Sequence, residues 1–226
     1  MKRIGLIGGM SWESTASYYA LLNRLTIQAL GPWRQPRVLI DSLDFSEVVH
    51  YQQLGDWATL GAMLADSAQR LETAGATVLA ICANTMHRNY DQVAGAVNVP
   101  VVDIRGALAA EVRALGASSM TLLATQYVME SDFYSSPLER AGITVVKPLG
   151  HEVEALQSMI FDELTQGVVS ESSRATFMEI AEHGRARGGE VVGLCCTEFG
   201  LFFDEATAPW PYIDSTAAHV KALVEH

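Results

Sequence analysis

The chain has 226 residues, 49% of them hydrophobic and 18% charged, with a net charge of −11, enough to bury a core in one large domain or in two of about 100 residues each. A surplus of acid with no Lys/Arg cluster argues against nucleic-acid binding, which needs cations to neutralise phosphates, and no stretch reaches the roughly 18 apolar residues of a membrane span. Three cysteines, two of them adjacent, do not make a secreted disulfide framework and suit a reduced, cytoplasmic setting.

Lys2 and Arg3 precede an apolar run cut short by Gly8-Gly9, so no secretory leader is read. Residues 2–7 read as a buried strand, followed by the loop GGMSWES. Ser14 or Thr15 is placed to cap a helix over 15–30 that stops at Gly31-Pro32. Residues 38–44 form a second strand, leading into an irregular stretch over 45–57. Leu60, Met63, Leu64, Ala68 and Leu71 at helical spacing predict a helix over 57–74, ending before Gly75. Strand 76–81, helix 86–96 and strand 99–104 complete the first half.

The second half follows the same plan. A helix over 105–115, strand 119–124, the segment TQYVMESDFY with a helix to about 141, and strand 143–147 come first. Helical runs over 151–166 and 171–187 follow, then strand 190–195, a loop with a short helix, strand 211–214 and a final helix over 215–225. Such alternation is the mark of parallel sheets covered by helices. The expectation is an α/β fold of two pseudo-symmetric lobes. The first is residues 1–103 with 215–226 and the second 104–214, with a cleft between them.

Internal duplication supports that reading. RIGLIGG resembles SMTLLAT, and VPVVDIRGALA resembles WPYIDSTAAHV. Pairing Ile4 with Thr121, Cys82 with Cys196 and Pro100 with Pro211 gives offsets of 117, 114 and 111, a small drift with the order kept. Each half therefore delivers one thiol, Cys82 or Cys196, from the end of an apolar strand into a polar loop. Parallel sheets bind ligands outside the carboxyl ends of their strands. Two similar acid/base groups on opposite sides of a substrate suit racemisation at a carbon, where one removes a proton and the other returns one. A thiol serves both roles if local dipoles bring its pKa down from near 8.5.

Asn84-Thr85 and Thr197-Glu198 supply hydroxyl, amide and backbone donors after each thiol. Cys195, one residue earlier, points to the opposite face of its strand. His87 either tunes Cys82 or sits at the rim of the cleft. No CxxC pair or HExxH helix is present, so no metal is expected. Gly5, Gly8 and Gly9 miss the dinucleotide-binding spacing, and are read as letting backbone amides approach a small anion. Tyr18, Tyr19, Phe133 and Tyr134 lie on predicted helices and are expected in the core. Thr125 and Tyr127, in the loop matching GGMSW, are candidates for substrate contact.

MKRIGLIGGMSWEST, CANTMH, ATQYVMESDFY and GLCCTEFGLF together resemble the aspartate/glutamate racemase family, and within it the stand-alone, cofactor-independent amino-acid racemases. The resemblance spans essentially the whole chain. It implies two α/β lobes, a homodimer, an amino-acid substrate, and neither pyridoxal phosphate nor metal. By position, Cys82 and Cys196 match the catalytic cysteines. Asn84, Thr85 and Thr197 match residues holding the α-carboxylate and ammonium, Met10, Thr125 and Tyr127 match facing loops, and Gln52 lies in the loop expected to close over the substrate. Residues 45–57 and 148–173 contain no Lys or Arg to grip a distal carboxylate, whereas aspartate-selective members are expected to have them. Aspartate or glutamate stays the first expectation, with a broader range beside it. The alternatives are a related reaction of the hydantoin racemase, maleate isomerase or arylmalonate decarboxylase type, or a non-catalytic amino-acid-binding protein.

Overall fold

A computed structural model describes residues 2–202 and 208–226. By contacts the chain divides into two compact units, residues 1–103 with 219–226, and residues 104–218. The first unit opens with β1 (Arg3–Gly8), α1 (Trp12–Leu30) and β2 (Arg37–Ser42). α2 (Phe45–Leu54), α3 (Trp57–Thr73), β3 (Val78–Ile81), α4 (Tyr90–Gly95) and β4 (Val101–Val102) follow. The second contains α5 (Ile104–Ala114), β5 (Ser119–Ala124), α6 (Gln126–Met129), α7 (Asp132–Arg140) and β6 (Thr144–Val146). It continues with α8 (Gly150–Ser158), α9 (Glu171–Ala186), β7 (Val191–Cys195) and β8 (Tyr212–Asp214). The last helix, α10 (Ser215–Glu225), begins in the second unit and ends in the first.

Each unit holds a four-stranded parallel sheet, and the two orders are the same: β2-β1-β3-β4 and β6-β5-β7-β8. The register repeats too. Ile4 pairs with Val78 and Ile7 with Ile81, while Thr121 pairs with Val192 and Ala124 with Cys195. These are the offsets of 117 and 114 read from the sequence, now realised as hydrogen-bonded neighbours. The fold is thus a duplicated α/β architecture.

In the first unit the sheet is covered on both faces, which is why β1 and β3 are continuously apolar. One face packs Leu60, Leu64, Ala68 and Leu71 of α3 with Val48 of α2 onto Ile7, Leu79 and Ile81. The other packs Tyr18 and Leu22 of α1 with Val220 and Leu223 of α10 onto Ile4, Leu6, Val78 and Ala80. Period-two alternation carries the second set on to Cys82, which joins this cluster.

Three local expectations are corrected. Residues 45–54, read as irregular, form α2: the Asp44 carboxylate accepts from the Ser46 amide at 2.8 Å, and Gly55 at φ +67° ends the helix. The cap of α1 is Ser11, whose hydroxyl accepts from the Ser14 amide at 3.3 Å, so the helix begins at Trp12. Tyr18 and Tyr134 are buried, but Tyr19 is 47% exposed and Phe133 only partly buried, because each lies one position off its helix's inward face. The loop expected before β8 falls largely at 203–207, outside the described residues.

Candidate active site

Cys82 follows the last residue of β3. Its amide donates to the Ile7 carbonyl at 2.9 Å, continuing the sheet by one bond. Its carbonyl accepts from the Ser14 hydroxyl at 2.6 Å. The first turn of α1 thereby fixes the thiol-bearing residue. Ser14, expected as a cap, is instead the clamp on Cys82.

Thr15 braces the preceding turn. Its hydroxyl accepts from the Gly9 amide at 2.9 Å and donates to the Ser11 carbonyl at 3.0 Å. Gly9 has φ +81°, and a Cβ there would stand 2.2 Å from the Leu43 carbonyl oxygen, so only glycine fits. For Gly9 the anion reading is corrected: its amide is taken by Thr15, and the glycine is required by backbone packing.

After Cys82, Asn84 and Thr85 are buried, and a 3-10 turn runs from Thr85 to Asn89. His87 is 1% exposed, with Nδ1 2.9 Å from the Ala83 carbonyl and its ring stacked on Tyr90 at 6.1 Å. It is a core histidine and not a rim residue. Pairing with a carbonyl assigns the proton to Nδ1. Behind it lies His219 of α10, its ring edge-on to His87. His219 Nε2 sits 2.9 Å from the Val102 carbonyl and Nδ1 2.8 Å from the Tyr18 hydroxyl. The carbonyl requires a proton on Nε2, so Tyr18 donates to Nδ1. Burial pushes the His219 pKa down to about 4, which keeps the ring neutral. Met10 is buried in the α2/α3 cluster, and Gln52 lies half-buried on α2, a helix and not a loop.

In the second unit Cys196 follows β7 as Cys82 follows β3. A 3-10 turn, Thr197–Phe202, starts at once. The Cys196 thiol donates to Glu198 Oε2 at 3.0 Å, and the Thr197 hydroxyl donates to the same oxygen at 2.8 Å. Glu198, read from sequence as a source of donors, is an acceptor. Phe199 and Phe202 of the turn pack on Phe177 of α9, with centroids 4.8 and 5.1 Å apart. Thr125 precedes α6, and its carbonyl accepts from the Val128 and Met129 amides at 3.0 Å. Thr125 and Tyr127 are partly exposed.

Cys195 is fully buried on the other face of β7, hydrogen-bonded to Tyr134 and Ser215, and burial pushes its thiol up to about 12. All three cysteines are free. Among the described residues no group of three or more His, Cys, Asp or Glu is placed to hold a metal ion. No helix among them is long and apolar enough to cross a membrane.

The expectation of thiols with lowered pKa is overturned. Burial raises Cys82 far above the ordinary range. Cys196 is raised by burial first and by the charge of Glu198 second. Desolvation favours the neutral thiol at both positions, and at Cys196 it outweighs the lowering effect of the Glu198 amide.

The chain is a duplicated α/β protein in which one strand of each sheet ends at a buried thiol. The profile of the Asp/Glu/Hydantoin racemase family matches residues 7–223, and the chain belongs to that family. The family is one of racemases, which places the chain among the isomerases. Similar structures include a Yersinia pestis protein solved as a candidate Asp/Glu racemase, 37% identical with a TM-score of 0.92, the match covering 100% of this chain and 98% of that one. A homologue of aspartate racemase from Pyrococcus horikoshii OT3 is 35% identical with a TM-score of 0.88 and the same coverage. The broad specificity amino-acid racemase RacX of Bacillus subtilis is 24% identical over 162 residues, 70% of this chain and 68% of that one.

Proposed function

We propose that the protein is a cofactor-independent amino-acid racemase that acts by a two-base mechanism through Cys82 and Cys196. The observation that carries this reading is the equivalent placement of the two thiols, one residue beyond the register pairs Ile7–Ile81 and Ala124–Cys195. One thiolate takes the α-proton and the other residue, as thiol, protonates the opposite face of the α-carbon. In the reverse direction the roles exchange. A neutral resting thiol must first be deprotonated, and the substrate's ammonium favours the thiolate by direct attraction. Charge developing on the α-carboxylate needs preorganised donors. Asn84 and Thr85 beside Cys82, and Thr197 beside Cys196, are the residues proposed to supply them, with Met10, Gln52, Thr125 and Tyr127 as further contacts.

Aspartate or glutamate is the proposed first substrate, in line with the names of the Yersinia and Pyrococcus relatives. The want of Lys and Arg in 45–57 and 148–173 supports a wider range beside it, as does the broad specificity of the Bacillus relative. A cytoplasmic homodimer that needs neither pyridoxal phosphate nor metal completes the proposal, so activity is expected to survive dialysis against a chelator.

The test is proton NMR in D₂O with single-enantiomer amino acids, followed by chiral chromatography. Loss of the α-proton signal with appearance of the opposite enantiomer is the expected result and names the substrate. Silence across the panel, with turnover of a hydantoin, maleate or arylmalonate, would move the chain to a related reaction. Binding without exchange would make it an amino-acid-binding protein.

A further inference from the structure

An open sheet ends in strands whose outer backbone groups can pair with another chain. Three of the four edge strands here are short: β4 has two residues, β6 three and β8 three, whereas β2 has six. The Leu43 amide donates to the Gly8 carbonyl on the inner side of β2. By period two, Val38 and Ile40 turn their N–H and C=O groups the other way, where the sheet has no further strand.

The same edge is apolar. Of the eleven large hydrophobic side chains exposed among the described residues, six lie between Trp12 and Ile40. On α1, Trp12, Tyr19, Ile27 and Leu30 follow at steps of seven, eight and three, which puts them on one flank of the helix. The opposite flank carries Tyr18, which bonds His219 of α10, and His219 in turn reaches Val102 of β4. The exposed flank therefore looks to the β2 side of the sheet, where Ile40 is 45% exposed and Trp33, in the turn before β2, is 94% exposed. An apolar patch of this kind marks an interaction surface.

The charges along β2 say what the partner is. Arg37 lies two residues before Leu39 and Asp41 two after, while Arg34 lies five before and Asp44 five after. A two-fold axis through Leu39 lays β2 antiparallel on its own copy, with Leu39 facing Leu39, Arg37 facing Asp41, and Arg34 brought toward Asp44. In that register residues 38 and 40 form the hydrogen-bonded pair, and these are the residues whose backbone groups turn outward. Asp41 already holds Arg70 of α3 at 2.7 Å, and a carboxylate has lone pairs for a second guanidinium. The acidic end of the edge opposes an anionic lipid surface as the occupant. We infer that the β2 edge and the exposed flank of α1 form the interface of a two-fold homodimer, in which two first-unit sheets join across paired β2 strands. This gives the homodimer proposed above its surface, and it does not depend on the racemase chemistry.

Sedimentation velocity of the wild type should show particles of two chains, and Ile40→Lys should shift them to single chains. Arg37→Asp and Asp41→Arg each set like charges opposite one another at both symmetric positions, and each alone should weaken dimerisation about tenfold or more. A mixture of these two variants regains opposite charges at both positions, so heterodimers should form in it, which a misfolded variant would not do. Leu39→Cys brings two thiols face to face with Cα atoms about 4.5 Å apart, within disulfide reach, and should cross-link under mild oxidation. Cys82, Cys195 and Cys196 are buried, so the wild type serves as the blank. A monomeric wild type, a dimer untouched by Ile40→Lys, no rescue in the mixture or no cross-link at position 39 would overturn the inference. A monomer whose tryptophan emission shifts on phosphatidylserine vesicles would overturn it in favour of a membrane surface. A dimer joined through β2 that exchanges no α-proton would sink the racemase reading and leave this interface standing.

Discussion

Cys82 and Cys196 are carried by the same architecture into different surroundings. The first ends among Leu6, Tyr18, Val220 and Leu223, its carbonyl held by Ser14. The second ends against a carboxylate, its sulfur held by Glu198. Duplication has kept what delivers each thiol, namely strand order, register and the step from strand to turn. The groups facing each thiol have diverged. Burial dominates the rise in pKa at both sites, and only at Cys196 does a neighbouring charge add to it. A pseudo-symmetric scaffold therefore does not imply chemically symmetric halves.

The largest effect should come from removing either sulfur. Cys82→Ser and Cys196→Ser are each expected to lower net racemisation by about 1,000-fold or more, within the range for a lost general acid or base, while α-proton exchange of a single enantiomer persists in at least one of them. Near-full activity in either variant would break the equivalence of the two thiols.

The polar network behind Cys82 can be tested by pH. His219 is held neutral in the fold, with its pKa depressed to about 4, whereas the unfolded chain protonates it below about 6.5. The unfolded state therefore binds more protons between those values, and stability present above pH 6.5 is lost as pH falls towards 4. The total is about 3 kcal/mol at 1.4 kcal/mol per unit. Urea titrations from pH 7 to 4.5 should show this slope in the wild type and a shallower one in His219→Gln. Parallel slopes would contradict it.

Ser14→Ala leaves the buried Cys82 carbonyl without its donor and should cost about 1–3 kcal/mol in urea midpoint stability. A cost near zero would mean that the clamp is dispensable. The smallest effect is expected for Cys195→Ala, with kcat/KM within about threefold of wild type, since Cys195 faces Tyr134 and Ser215 on the opposite side of β7. A loss matching Cys196→Ser would show that the adjacent thiol had been misassigned.

Much of the fold is legible in the sequence. The offsets of 117 and 114 became sheet register because duplicated strands bury the same alternation of side chains. α2 is hard to read because Ser46, Glu47, His50, Gln52 and Gln53 break up the inward positions Phe45, Val48 and Tyr51, although Asp44 followed by Glu47 at the third position on is a recognised start signal. The clamp of Ser14 on Cys82 spans 68 residues of sequence, and no local pattern reports such a bond. Glu198 was in plain view beside Thr197. What the sequence lacked was the direction of its carboxylate, which the turn fixes by bringing Oε2 round to both the hydroxyl and the thiol.

The last helix has a consequence for biosynthesis. Val220 and Leu223 of α10 fill the cluster that contains Cys82, and His219 joins Tyr18 to the Val102 carbonyl. During translation the sheet of the first unit thus emerges with this face covered by α1 alone, and it stays so until α10 has been made. Domains usually fold in the order they are synthesised. Here the second unit can be complete while the first still waits for its closing helix, so a nascent chain stalled before residue 219 should expose the apolar surface that Val220 and Leu223 cover on the first unit.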